Sequence, residues 1–356
     1  MKKIDLLYLY FKIQKEFFAH SKYLQENKID YALWKHKFIQ LLKSKDGRTK
    51  ELLVAFLDCE ITEISHNASY KNSEYSPVLI CVIKNEINKI ESFMEHYRKL
   101  GIEKFVFLDN LSTDGTTEYL CAQEDTIVYS SEQEYSSARR VAWINRLLAL
   151  HGINRWCMIV DSDELVTYVG CEQHRISEVV EKAVKNKYDR ILGFMLDMYS
   201  ESSLFQGVEE KDYIEKCRFF DVDSYEVKRM HRGLGIHGGP RKRVFGVEQV
   251  LEKYPLFFFG TNIFVASSHY IIPYTTEEEY PIWFAICHYK FVDEKDLDKV
   301  KEAVLKENYA QNSIVYKQYL SVIETSKNVT FYDSQVSTEL KSSESLKRVP
   351  FLQEPF

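Results

Sequence analysis

The hydrophobic pattern switches between two periods through the middle of the chain. Val78 to Ile83 is an unbroken apolar run, rich in β-branched residues and set behind Pro77. It predicts a strand buried on both faces. Ile90, Phe93, Met94, Tyr97 and Leu100 then recur at helical spacing, and Gly101 stops the helix. Phe105 to Leu108 predicts a second strand, Thr116 to Cys121 the start of a helix, Ile127 to Tyr129 a third short strand and Ala138 to Leu150 another helix. Trp156 to Val160 is a fourth apolar run. A helical stripe follows over Ile176 to Val184, and Ile191 to Leu196 is a fifth run. Strand and helix therefore alternate from Val78 to Asp197, the pattern of an α/β fold with a mostly parallel sheet flanked by helices.

The flanks read differently. Residues 1–45 contain no Pro or Gly and are rich in Lys, Tyr, Phe and Leu, which predicts two helices. Polar residues 64–76 make a linker ending at Pro77. The expected organisation is a helical N-terminal extension over 1–75, a main domain over 76–292, and C-terminal helices and a tail over 293–356. Asp293 to Thr325 is charged and helical in pattern, with Val300, Ala303 and Val304 on one face. Residues 326–356 are Ser-rich and read either as a tail packed across the surface or as a loosely held end.

Composition narrows the function classes. The 356 residues are 45% hydrophobic, and 47 Lys+Arg stand against 53 Asp+Glu for a net charge of −6. Disorder and a nucleic-acid partner are both disfavoured by that balance. Seven Cys without a C-x-x-C pair give neither a zinc site nor a disulfide framework, and fit a reducing compartment. The apolar run Leu6 to Phe11 is too short for a secretory leader or a membrane span. A cytoplasmic protein is expected, with the N-terminal helices docking on the main domain, on a second subunit, or on the inner membrane from its cytoplasmic face.

In sheets of this kind ligands bind outside the carboxyl ends of the strands. The polar residues following each apolar run then become candidates for one site: Asn85-Glu86, Asp109-Asn110, Asp161-Ser162-Asp163 and Asp197. Any one of them alone is more often a cap or turn residue, but four converging on one edge are harder to explain as caps. Asp161-x-Asp163 points two hard carboxylate ligands at that edge, which suits Mg²⁺ or Mn²⁺ shared with substrate phosphates.

The segments Val78-Leu-Ile-Cys-Val-Ile-Lys-Asn-Glu86, Phe107-Leu-Asp-Asn-Leu-Ser-Thr-Asp-Gly-Thr116 and Ile159-Val-Asp-Ser-Asp-Glu164 occur in that order. Together they resemble the nucleotide-sugar-binding half of GT-A fold glycosyltransferases, in particular the family-2-like bacterial enzymes and the related family 92 group. Ser137-Ala-Arg-Arg140, Gly238-Gly-Pro-Arg-Lys-Arg-Val-Phe-Gly246 and His288-Tyr-Lys-Phe291 extend the resemblance over roughly residues 77–292. Asn110 departs from the double-Asp form common in family 2. The resemblance implies a GT-A (Rossmann-like) fold. It also implies transfer of a sugar, with inversion, from a nucleoside-diphosphate sugar, UDP-linked by expectation. The acceptor would be a hydroxyl of a glycan or lipid-linked glycan, in bacterial surface polysaccharide synthesis. Asn85, Glu86 and Asp109 would hold the nucleoside, Arg139 or Arg140 the nucleotide or diphosphate, Asp161 would face the ribose or a metal-bound water, and Ser162 would bind the donor beside it. Asp163 and His288 would ligate Mn²⁺ or Mg²⁺.

Two assignments rest on the residues beyond those motifs. Lys228 to Arg243 holds six cations, no acid and four of the chain's thirteen glycines, including Arg241 and Arg243. A mobile loop gripping diphosphate or an acceptor phosphate is expected there. An inverting transfer needs a carboxylate base. Asp197 is the first candidate, followed by Asp221 and Asp223, then Glu248. Tyr270, Tyr274, Tyr280 and Trp283 are candidates for stacking on the acceptor sugar. The competing readings are a HAD-like phosphohydrolase, which Leu165 disfavours at a position where that motif wants Thr or Val, and a non-catalytic nucleotide-binding relative. A Rossmann dehydrogenase lacks its G-x-G-x-x-G here.

Overall fold

The computed structural model describes residues 52, 55–56, 58–68, 75–206, 212–230, 233–260, 263–272, 280–307, 310–326 and 328–356. The two helices expected over 1–45 lie outside the described residues, as do His231, Arg232 and Tyr274. The described strands are β1 (Thr62–His66), β2 (Val78–Ile83), β3 (Phe105–Asp109), β4 (Thr126–Ser130), β5 (Trp156–Ile159), β6 (Glu164–Thr167), β7 (Arg190–Asp197), β8 (Phe219–Asp221), β9 (Tyr225–Met230), β10 (Gly233–Gly238), β11 (Glu252–Phe258), β12 (Phe264–Val265), β13 (Ile271–Ile272), β14 (Ile282–His288) and β15 (Ser337–Glu339). Helices Ile87–Lys99, Thr116–Cys121, Ser137–His151 and Ile176–Lys185 alternate with the early strands. Glu294–Lys306 and Ala310–Thr325 follow β14.

Nine strands form one sheet in the order β1-β4-β3-β2-β5-β11-β7-β14-β6. The protein is α/β, but the sheet is mixed rather than mostly parallel. β4–β3, β3–β2, β2–β5 and β7–β14 are parallel, while β1–β4, β5–β11, β11–β7 and β14–β6 are antiparallel. The difference comes mainly from β11, which inserts antiparallel between β5 and β7. Its sequence, Glu-Lys-Tyr-Pro-Leu-Phe-Phe, hides the strand behind two charges and a proline. The register against β7 shifts between Lys253 and Leu256, where Pro255 sits, so the residue that cannot donate to a ladder lies at an irregularity.

β2, β3 and β7 are buried almost throughout, as unbroken apolar runs should be when helices cover both faces. Helix Ile87–Lys99 buries Ile90, Phe93, Met94 and Tyr97 against the sheet. A second apolar cluster gathers Phe245, Phe291, Val300, Tyr319 and Phe331, and fixes the two C-terminal helices beside the end of β14. The segment after residue 326 is packed rather than loose. β15 pairs antiparallel with β8, and Leu346 and Val349 are buried in the main core.

The described residues of the segment expected as a mobile basic loop form regular structure instead. β9 and β10 form a hairpin, and Gly239–Phe245 is a short helix directly after it. Gly238 takes φ +112°, and a Cβ there would stand 2.1 Å from the Ser224 carbonyl oxygen, so the hairpin-to-helix corner requires glycine.

Candidate metal and diphosphate site

Adjacent parallel strands β7 and β14 end in register, with His288 opposite Asp197. That register explains the central contact. His288 Nδ1 lies 2.7 Å from Asp197 Oδ1, and both side chains are almost wholly buried. The ring's other nitrogen, Nε2, then faces Asp163 Oδ2 at 3.5 Å. The backbone reinforces the meeting, since Tyr289 N–H donates to the Asp163 carbonyl at 2.8 Å. Asp163 and His288, far apart in sequence, are therefore brought together at the strand-end edge.

The surrounding charges are paired. Arg241 Nε donates to Asp197 Oδ2 at 2.7 Å, and its Nη1 reaches Gln249 Oε1. Gln249 in turn accepts from the Tyr319 hydroxyl at 3.0 Å. Arg140 Nη2 holds Asp161 Oδ1, while Lys253 Nζ lies 3.3 Å from Asp161 Oδ2 and also pairs with Glu164 Oε1. Burial disfavours the charged form of each carboxylate, yet neighbouring cations win. Arg140 and Lys253 hold Asp161 down to about 2. His288 holds Asp163 well below the ordinary carboxylate range, and Arg241 with His288 lowers Asp197. Burial likewise opposes the imidazolium of His288, but Asp163 and Asp197 raise its pKa above the ordinary value.

The donor atoms of Asp163, Glu164 and His288 lie within 4.8 Å of one another. Glu164 is a poor third ligand, because Lys253 occupies one oxygen and the Asp161 N–H donates to the other at 3.1 Å. Asp163 and His288 together offer one hard oxygen and one imidazole nitrogen. That set fits Mn²⁺ better than Mg²⁺, which favours oxygen alone. The Asp197–His288 contact is the outer-shell carboxylate that a metal-ligating histidine usually has. Arg140 and Lys253 hold Asp161, Lys253 holds Glu164 and Arg241 holds Asp197, while Asp163 pairs with His288 and feels the charges of Lys290 and Lys89 from further off.

Other expected site residues are placed less openly. Asn85 adopts φ +54°, its Oδ1 accepts from Thr113 N–H at 2.8 Å, and its own N–H donates to Ser112 Oγ. Asp109 is 2% exposed and accepts from Ser112 N–H at 3.0 Å and the Thr117 hydroxyl at 2.9 Å. Both side chains lock the loop after β3 in this geometry. Asn110, whose amide donates to the carbonyls of Ser131 and Gln133, does the same. Glu86 is held by Lys299 at 2.6 Å, and its pKa is raised by burial. Ser162 is buried beside the two aspartates. Of the two arginines at the start of helix Ser137–His151, Arg140 faces Asp161, whereas Arg139 is half-buried and donates to the Asp58 carbonyl at 3.3 Å.

Arg243 does not join the cluster. It binds Asp221 at 2.9 Å and the Phe331 carbonyl, tying the C-terminal segment down. Asp221 is fully buried and also accepts from Tyr199 and Ser224, while Glu248 is exposed against Lys242. Asp197 has both oxygens taken, so it presents neither to an acceptor hydroxyl. Tyr270 and Tyr280 donate to Glu252 and Asp189, and Trp283 is buried against Tyr188, which makes them packing and hydrogen-bonding residues. Lys253 and Gln249 were missed in sequence. The β11 pattern concealed Lys253, and Gln249 acts only through Arg241.

No family model matches the chain, and no curated protein does. Among solved structures, HddC from Yersinia pseudotuberculosis is similar at 8% identity over 51% of this chain and 73% of that chain, with a TM-score of 0.27. A likeness that slight carries no argument about function.

Proposed function

We propose that the chain is a divalent-cation-dependent glycosyltransferase of the GT-A type, moving a sugar from a nucleoside-diphosphate sugar to a glycan hydroxyl. The observation that supports it is the convergence of Asp163 and His288 at the strand-end edge, with Asp197 fixing the imidazole from behind. Asp163 and His288 would hold Mn²⁺, or Mg²⁺ more weakly, and the bound ion supplies charge stabilisation for a departing diphosphate. Asp197 would keep the proton of His288 on Nδ1 and so leave the Nε2 lone pair facing Asp163, where the ion would be held. Arg241 keeps Asp197 ionised and oriented. Arg140 and Lys253 hold Asp161 deprotonated at the ribose side. In this reading Asp197 positions His288 rather than acting as the base. A UDP-sugar donor, a lipid-linked or surface glycan acceptor and a place at the inner face of the inner membrane extend the same proposal. Among the described residues no helix is long and apolar enough to cross a membrane.

The pairing of these charges with one another favours one second reading, a relative that binds nucleotide without turnover. Thermal shift with UDP, GDP and ADP, each with and without MnCl₂, tests both. The proposal expects a shift with one nucleotide only when Mn²⁺ is present, and release of free nucleotide from the matching nucleotide sugar. Binding without release selects the second reading. A shift that does not depend on Mn²⁺ removes the transferase reading, and no shift with any of the three nucleotides removes both.

A further inference from the structure

The described surface carries an open cleft of about 710 Å³ that the site above does not use. Its walls come from three places: Ser200 to Ser202 just beyond β7, helix Tyr213–Lys216 with Arg218 and Phe219, and Leu340 after β15. The framework is fixed. Tyr199 and Phe219 exchange backbone hydrogen bonds at 3.0 and 2.9 Å, and Leu340 N–H donates to the Arg218 carbonyl at 2.7 Å. One wall of the cleft is tied to the metal-site candidate through buried Tyr213. Tyr213, next to lining residue Ile214, packs its ring 5.0 Å from that of Tyr289, the residue that follows His288 and binds the Asp163 carbonyl.

The lining chemistry selects a ligand class. Glu201 and Glu215 only accept hydrogen bonds, Lys216 and Arg218 only donate, and Ser200 and Ser202 do both. A ligand dense in hydroxyls satisfies all three kinds. Two carboxylates balance the two cations, and Arg218 is already paired with Glu339 at 2.9 Å, so the lining has no net positive charge to draw a phosphate or a polyanion. Half-buried Phe219, set edge-to-face against Tyr332 at 5.2 Å, supplies an apolar ring surface at one wall. We propose that this cleft is a saccharide-binding site. Taken with the transferase reading, on which this clause alone rests, it is the acceptor subsite.

The test uses the full chain on a microarray of bacterial lipopolysaccharide and capsule oligosaccharides. The wild type should retain at least one saccharide class. Glu215→Gln and Ser202→Trp, both at exposed positions, should weaken retention by about tenfold or more. Their melting temperatures and Mn²⁺-dependent nucleotide shifts should stay at the wild-type values. Absence of retention across the array, or equal retention by both variants, overturns the cleft assignment. Saccharide retention without any nucleotide shift in the wild type leaves the cleft standing and removes the transferase reading instead.

Discussion

Asp197 is the residue on which the site geometry turns. It is 2% exposed, and its two oxygens hold His288 and Arg241. Asp197→Asn keeps the shape but offers an amide that can present N–H to Nδ1, reversing the tautomer. Loss of an outer-shell partner of this kind typically costs about 10–100-fold in metal affinity. The variant should therefore bind Mn²⁺ weakly with its fold intact, as titration calorimetry will report. A base, by contrast, would lose turnover at unchanged metal affinity, and that result would restore the first expectation for this residue. Asp163 was legible as a candidate because Asp161-x-Asp163 follows the fourth apolar run, whereas His288 entered only through the resemblance carried by His288-Tyr-Lys-Phe291. The parts of Arg241 and Lys253 were not legible. Whether a buried cation meets a ligand or a carboxylate depends on register, which local pattern does not carry.

Elements were most readable where a single period ran unbroken. Strand Val78–Ile83 has the bounds its sequence implies and helix Thr116–Cys121 starts where its sequence implies, because Pro77 and Gly115 mark those edges. β11 was concealed by its Pro and charges, and β14, although wholly buried, follows no helix of the early alternation. One charge at an element edge makes a stability prediction. Lys104, just before β3, is buried, and burial together with nearby Arg155 pushes its ammonium down to about 7. Between about pH 7 and the ordinary lysine value near 10.4 the unfolded chain binds the extra proton, so this group's contribution to stability rises with pH. Lys104→Met should melt higher than wild type at pH 7, and the gap should narrow toward pH 10. A gap independent of pH would show that the amine is not desolvated in the folded state.

At the scale of the molecule, the C-terminal segment is part of the core. Phe351 packs edge-to-face on Phe194 of β7 at 4.8 Å, and the Ser337 hydroxyl meets that of Tyr199 at 2.9 Å. Lys89 binds Asp296 through buried contacts of 2.7 Å, joining the first helix of the sheet domain to the helix after β14. These contacts cross the expected boundary at residue 292. A chain ended at residue 336 loses buried Leu346 and Val349, worth about 1.5–3 kcal/mol each. It should melt well below the full chain by circular dichroism, and an unchanged midpoint would detach the tail from the fold.

The central claim, a divalent cation held between Asp163 and His288, is tested most directly by electron paramagnetic resonance of Mn²⁺ titrated with the full chain in the presence of UDP. The account predicts loss of the free-ion signal at one equivalent, ¹⁴N hyperfine coupling from an imidazole, and disappearance of both in Asp163→Asn and His288→Ala. An undiminished free-ion signal with the wild-type chain, or equal binding by both variants, would contradict it.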